Sequence, residues 1–172
     1  MTGAPAPLIL TLGFDERSFA FFDEARRRYF PPERNHIPAH LTLFHHLPGE
    51  DLADIAATLR EVTVQMAALP LRVSGLVFLG YGSAYRLESP ELTQVRKDLA
   101  ARWAGRLTPQ DAAGFRPHVT VQNKAPSREA KQLFAELQAG FQPFEATGTG
   151  LLLWHYRGGP WEAAGEFPFA AP

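Results

Sequence analysis

The sequence predicts an α+β protein: two pseudo-twofold-related lobes of antiparallel sheet with flanking helices, set around a central groove. Three observations predict it. The pattern Pro38-Ala39-His40-Leu41-Thr42-Leu43 returns as Pro117-His118-Val119-Thr120-Val121, with histidine and threonine two apart and aliphatic residues interleaved. Side chains alternate between the faces of a strand, so each copy presents an imidazole and a hydroxyl on one face, anchored by aliphatic packing on the other. Each copy is then followed, at similar distance, by an apolar run opened by a glycine: Gly75 lies 35 residues after His40, and Gly150 lies 32 after His118. Finally, each copy has a strand-like and a helix-like segment before it and another helix-like segment after it. A series of elements met twice implies a fold built twice. The halves are about 8–80 and 84–169, within a single domain of residues 1–172, and a pseudo-twofold would bring the two histidines to a shared groove.

Taken in order, Leu8-Ile9-Leu10-Thr11-Leu12 is a short apolar run and predicts a buried strand. Asp15 is placed to cap a helix, with Phe14 and Phe19 as a hydrophobic staple. That helix carries Phe19, Phe22 and Tyr29 on one side and stops at Pro31-Pro32. Arg26, Arg27 and Arg28 suit the negative end of its dipole. After the first motif, Leu52, Ile55, Leu59, Val62, Met66 and Leu69 recur at helical spacing until Pro70. Leu71 to Leu79 reads as a strand, turning at Gly80-Tyr81-Gly82-Ser83 into a partner over Ala84 to Leu87. Ser89-Pro90 is a capped helix start, with Leu92, Val95, Leu99 and Trp103 as the buried stripe. Leu107 to Phe115 has turn composition. Beyond the second motif, Ser127 is expected to cap a helix packed through Ala130, Leu133, Phe134 and Leu137. Strands over about Phe144–Tyr156 and Trp161–Phe167 close the chain, joined by Arg157-Gly158-Gly159-Pro160.

Composition bounds the function. The 172 residues are 45% hydrophobic and 20% charged, and there is no cysteine. Disulfides, thiolate zinc sites and a cysteine nucleophile are therefore excluded. The first residues carry no basic region, and the opening apolar run is too short for a signal core or a membrane span. The expectation is a cytoplasmic monomer with no membrane partner. A net charge of −1 argues against wrapping long duplex nucleic acid by phosphate neutralisation. A small phosphate ester or the end of an RNA fits that balance.

The paired H-x-T motifs, 78 residues apart, resemble those of the 2H phosphoesterase superfamily, in particular its bacterial 2′-5′ RNA ligase-like branch. The run from Phe30 to Leu43 and the tail Gly158-Gly159-Pro160-Trp161-Glu162 leading to Phe169 resemble the same branch. The resemblance implies a phosphodiesterase that opens 2′,3′-cyclic phosphates of RNA ends or small nucleotides to 2′-phosphates, with reversible 2′-5′ RNA ligation. It implies His40 and His118 as the catalytic pair, with His40 donating a proton to the leaving oxygen and His118 taking one from water. Thr42 and Thr120 would donate hydrogen bonds to the phosphate oxygens. No cofactor and no metal is implied. A pair of imidazoles suits the task because each titrates near neutrality, so one can serve as acid while the other serves as base.

Other candidates come from position. Lys124 shares the alternating face of His118 and Thr120 if the strand runs that far. Arg157, with Arg86 and Arg116, lies near a strand end and could supply the cation that this family adds to the phosphate site. Tyr85 could stack on a base, and His36 precedes the motif in a loop. His45 and His46 are adjacent, so they face opposite ways on a continuing strand. Two rival functions remain. The same groove could bind RNA ends or cyclic nucleotides without turnover, although binding alone does not require two titrating groups. The histidines could hold zinc, but H-E-x-x-H and compact ligand spacing are both missing.

Overall fold

The structure, a computed structural model, describes residues 3–172. Its strands are β1 (Leu8–Phe14), β2 (Thr42–Leu47), β3 (Leu69–Phe78), β4 (Ser83–Glu88), β5 (His118–Gln122), β6 (Phe144–His155) and β7 (Glu162–Pro168). Its helices are α1 (Glu16–Tyr29), α2 (Leu52–Thr63), α3 (Pro90–Arg102), the single turn α4 (Pro109–Ala112) and α5 (Ser127–Gly140). All strand pairs are antiparallel and form one sheet in the order β2-β1-β6-β3-β4-β5, with β7 added to β6.

That order has a consequence for the lobes. β1 and β2 pair at one end and β4 and β5 at the other, but the third strand of each run has crossed over: β6 lies against β1, and β3 against β4. The lobes join where the first residues of β6, Phe144 to Gly148, pair with β3. Each lobe is thus built from both stretches of sequence, and neither can fold away without stripping a strand from the other. Behind the sheet, Leu10, Leu12, Leu41, Val119, Val121 and Leu151 are buried in one cluster with Phe22 of α1, Leu59 of α2 and Leu99 of α3. Each such side chain contributes about 1.5–3 kcal/mol of transfer free energy.

Local signals decide most element ends. Asp15 accepts the Ser18 amide at 2.9 Å and Ser89 accepts the Leu92 amide at 3.1 Å, as their cap positions require. The staple does not form as expected: Phe14 stacks on Phe22, at 5.2 Å, and Phe19 borders a cavity. The helix predicted to reach Leu69 ends at Thr63, whose hydroxyl turns back to the Leu59 carbonyl at 2.8 Å. The carbonyls of Thr63 and Met66 instead receive the amides of Ala170 and Ala171. Met66 and Leu69 keep helical spacing by coincidence, and Pro70 sits inside β3. Ser127 is the first residue of α5 rather than its cap, since Pro126 holds the cap position. The expected turn over Leu107–Phe115 contains α4, capped by Thr108.

The motif strands β2 and β5 are the two ends of the sheet, where backbone groups lack a neighbouring strand. Side chains cover them. The register slips between Leu10–Phe44 and Thr11–Thr42, which leaves Leu43 between pairs, and Arg96 Nε donates to its carbonyl at 2.7 Å. The buried Asp111 carboxylate accepts the amides of His45 and His46 at 2.8 Å each. At the far end Arg26 Nη1 donates to the Thr120 carbonyl at 3.2 Å, with its Nε on Asn35 Oδ1. The two arginines are themselves buried and stack on Phe30 and Phe44, 4.2 and 3.9 Å from the ring centres.

Burial alone would raise the Asp111 carboxyl, but bonds from the His45 ring and from the His45 and His46 amides outweigh it and hold its pKa below the usual value. Asp111→Ala leaves two backbone donors without an acceptor and should lower the unfolding free energy by about 2–4 kcal/mol in urea titration. Because the folded carboxyl is the stronger acid, this contribution is complete above the unfolded pKa and disappears as pH falls through the folded one. The gap between wild type and variant should therefore close below about pH 4.

Candidate active site

His40 lies in the extended lead into β2, two residues before Thr42, and His118 opens β5, two before Thr120. The alternation read from sequence holds: Leu41 and Val119 are fully buried, while His40, Thr42 and Thr120 are half-buried and His118 is exposed. The strand lengths differ from expectation, since β2 begins at Thr42, but the lead-in stays in register through the bond from the Leu12 amide to the Leu41 carbonyl.

Both rings are fixed in the same way. His40 Nδ1 lies 2.9 Å from the carbonyl of Pro38, and His118 Nδ1 lies 2.8 Å from that of Arg116, each two residues back. A carbonyl can only accept, so Nδ1 carries the hydrogen in both rings and Nε2 is left without that hydrogen. In the neutral ring Nε2 accepts a proton; in the charged ring it donates one. Burial, followed by the positive charges of Arg26 and His118, pushes the His40 pKa down to about 4 against the opposing bond to Pro38. His118 and Arg26 thus lie close enough to His40 for their charges to reach it.

The surroundings of the two histidines are not symmetric. Gly13 lies two residues along β1 from Thr11, the partner of Thr42, and faces Gly150 across the β1–β6 pair. The matching place beside His118 is held by Arg86, which pairs directly with His118 on one side and with Gly75 on the other. Paired residues of an antiparallel ladder point to one face, so Arg86 and His118 stand side by side. The missing side chain at Gly75 gives the guanidinium its room: a Cβ there would lie 2.6 Å from Arg86 Nη2. On the His40 side the glycines instead leave a cavity of about 440 Å³ bordered by Thr11, Gly13, Phe19, His36, Trp161 and Glu166 among others. Trp161 packs against His40 with ring centres 4.6 Å apart, and Trp154 donates from its indole nitrogen to Thr11 Oγ1 at 3.0 Å.

Several expected site residues are placed elsewhere. Tyr85 is buried among Phe21, Phe22, Phe141 and Phe144, on the core face of β4, so it has no face for a base. β5 ends at Gln122, and Lys124 follows in a turn with φ of 59°, which breaks the alternation that would have put it beside Thr120. Arg157 sits outside the cavity, at the tip joining β6 to β7, and bonds Glu162 at 2.8 Å. His45 holds the Asp111 carboxylate. Of the three arginines that the sequence leaves open, the ladder sets Arg86 beside His118. Trp154, Trp161 and Glu166 are not marked as site residues by any local pattern, although Trp161 stands in the tail that carries part of the family resemblance. Among the described residues, no three His, Asp or Glu side chains converge as a metal-ligand set. No helix among them is long and apolar enough to cross a membrane.

Comparison with known proteins identifies the fold and the family. TT0787 of Thermus thermophilus superposes with a TM-score of 0.68 at 19% identity, covering 96% of this chain and 98% of that one. Escherichia coli LigT in its apo form gives 0.62 at 17% identity, with 98% and 100% covered. LigT complexed with 3′-AMP gives 0.61 at 17% identity, with 97% and 99% covered. At such identities these structures establish the fold. No curated protein sequence matches this chain. The sequence profile of the 2′-5′ RNA ligase superfamily matches residues 14–160, most of the chain, and the protein belongs to that superfamily.

Proposed function

We propose that the protein hydrolyses 2′,3′-cyclic phosphates, on RNA ends or small nucleotides, to 2′-phosphates by general acid/base catalysis between His40 and His118. The observation that supports this reading is the matched anchoring of both imidazoles through Nδ1, which leaves the Nε2 atom of each ring for proton transfer. Neither a structural histidine nor a simple binding site needs that duplication. LigT complexed with 3′-AMP is a relative in fold that holds a nucleotide, in keeping with a ligand of this class.

The different surroundings of the two histidines support a division of roles between them. The cavity adjoins His40, and the nucleoside it receives lies on the side of the leaving ribose oxygen. His40 then protonates the departing 3′ oxygen, while His118 removes a proton from water attacking phosphorus from the opposite side. The Thr42 and Thr120 hydroxyls, with Arg86, face the non-bridging oxygens as negative charge gathers there. If a 5′-hydroxyl replaces water, the same displacement makes a 2′-5′ link.

This assignment demands that a histidine neutral in the empty site become an acid. A phosphate charge about 4 Å away, at an effective dielectric of about 20, is worth about 4 kcal/mol, or about a thousandfold in the protonation equilibrium. That is enough to offset burial and the neighbouring charges and to return His40 to the neutral range. Substrate and proton should therefore bind together.

His40→Ala and His118→Ala should each reduce turnover of adenosine 2′,3′-cyclic phosphate by about 10²–10⁴-fold with the fold intact. Thr42→Ala and Thr120→Ala should cost about 10–10³-fold, and EDTA should leave the wild-type rate unchanged. A single histidine variant with a near-normal rate would refute its role. Binding of the cyclic nucleotide to His118→Ala, followed by calorimetry in buffers of different ionisation enthalpy, should show proton uptake near neutral pH. The uptake should vanish when His40 is also replaced. Uptake that persists in the double variant, or none in the single one, would remove His40 as the acid.

A further inference from the structure

We propose that the cavity beside His40 selects guanine as the terminal base, with the Glu166 carboxylate accepting hydrogen bonds from its N1–H and 2-amino groups. This rests on the phosphodiesterase reading only for the statement that the base belongs to the nucleotide bearing the cyclic phosphate. Three observations lead to it.

The first is the distribution of charge. His36, His40 and Glu166 are the ionisable side chains that border the cavity, and no lysine or arginine does so. A phosphate placed there would meet a carboxylate. The cations Arg86 and Arg26 lie instead with β5, where Arg86 pairs with His118 and Arg26 holds the Thr120 carbonyl. An anionic ester is drawn toward that side, and the cavity receives the uncharged part of the ligand.

The second is shape. Gly13 and Gly150 pair where they border the cavity, and a Cβ at Gly150 would lie 2.8 Å from the Phe167 carbonyl, so backbone and no side chain forms this part of its lining. Trp161 and Trp154 form an aromatic wall with ring centres 6.1 Å apart, and the second is held by its bond to Thr11. A lining without side chains at the glycines and an aromatic wall beside it suit a flat ring.

The third is the chemistry of Glu166. It lies on β7 opposite Leu152, which pairs with Thr11 of the site face, so the ladder places it on the cavity side of the sheet. It is exposed and has no ion-pair partner among the described residues. An ionised carboxylate only accepts, and it has two oxygens side by side. Guanine alone among the RNA bases presents two adjacent donors, N1–H and the 2-amino group. Adenine and cytosine place an acceptor nitrogen beside their amino group, and uracil flanks its single N–H with two carbonyls. An acceptor facing the carboxylate is repelled, so selection acts by exclusion as well as attraction.

The test measures binding of the 2′-phosphates of guanosine, adenosine and inosine by tryptophan fluorescence and calorimetry, which requires no turnover. The wild-type protein should bind guanosine 2′-phosphate at least about tenfold more tightly than adenosine 2′-phosphate. The inosine compound, which lacks the 2-amino group, should fall between them. Glu166→Gln, with one donor and one acceptor, should bring the guanosine-to-adenosine ratio to within about twofold of unity. Equal binding of the three by the wild type, or a guanine preference that survives in Glu166→Gln, would overturn the proposal. A guanine preference in a protein that hydrolyses none of the cyclic nucleotides would uphold this site and count against the catalytic reading alone.

Discussion

The placement of both motifs depends on holding two edge strands still. The lead into β2 carries His40 and β5 opens with His118, and each strand is the last at its end of the sheet. An edge strand has half its backbone groups unpaired and is the element most free to slip. A slip of one residue would turn His40 or His118 into the core and bring Leu41 or Val119 into the groove. The structure answers with a buried arginine at each end: Arg96 of α3 for β2, and Arg26 of α1 for β5. Each comes from the helix that joins the two strands of the other lobe's outer pair, so the clamps tie the lobes as the crossed strands β3 and β6 do. Burying a guanidinium is costly unless its donors are used. Here the donors go to strand carbonyls and to Asn35 or the Asp111 carbonyl, while the flat faces rest on Phe30 and Phe44.

A twofold arrangement creates a problem that the same residues must then solve. Two identical imidazole-hydroxyl strands cannot tell acid from base, or one side of a phosphate from the other. The distinction comes from positions outside the motifs. Where the lobe of His118 has Arg86 lying over Gly75, the lobe of His40 has Gly13 against Gly150, and both glycines border the cavity. One substitution pattern, glycine for arginine at matching places, makes one flank of the groove a cation and the other a cavity. A nucleotide has the complementary polarity, an anion at one end and a flat neutral ring at the other.

Much of this was legible in the sequence because strands and motifs are local. The two histidines, the two threonines and the alternation behind them depend on a period of two within five residues, and the caps at Asp15 and Ser89 depend on a single turn. What the sequence did not show depends on partners far along the chain. Tyr85 reads as a stacking group by type, but the packing of α1 and α5 against β4 buries it. Lys124 follows the strand period on paper, yet the backbone leaves the strand at Asn123 and takes a left-handed turn. Arg26 reads as a dipole partner at a helix end and is instead a buried cross-lobe donor. Trp161 and Glu166 come to the site only because β7 is added to the far half of β6, a pairing that no local pattern specifies.

Arg26 shows how closely stability and chemistry are joined here. Its position is required by the Thr120 carbonyl and Asn35, which it satisfies as a structural donor. Its charge nevertheless reaches His40 and, with burial and His118, keeps that ring neutral while the groove is empty. In the proposed reaction His40 is the ring that must deliver a proton. A phosphate ester bound beside it would make that protonation favourable, since its negative charge opposes the cations that hold the ring neutral. On that proposal, the clamp that fixes β5 also delays protonation of His40 until an anion is present, and the anion would be the reactant.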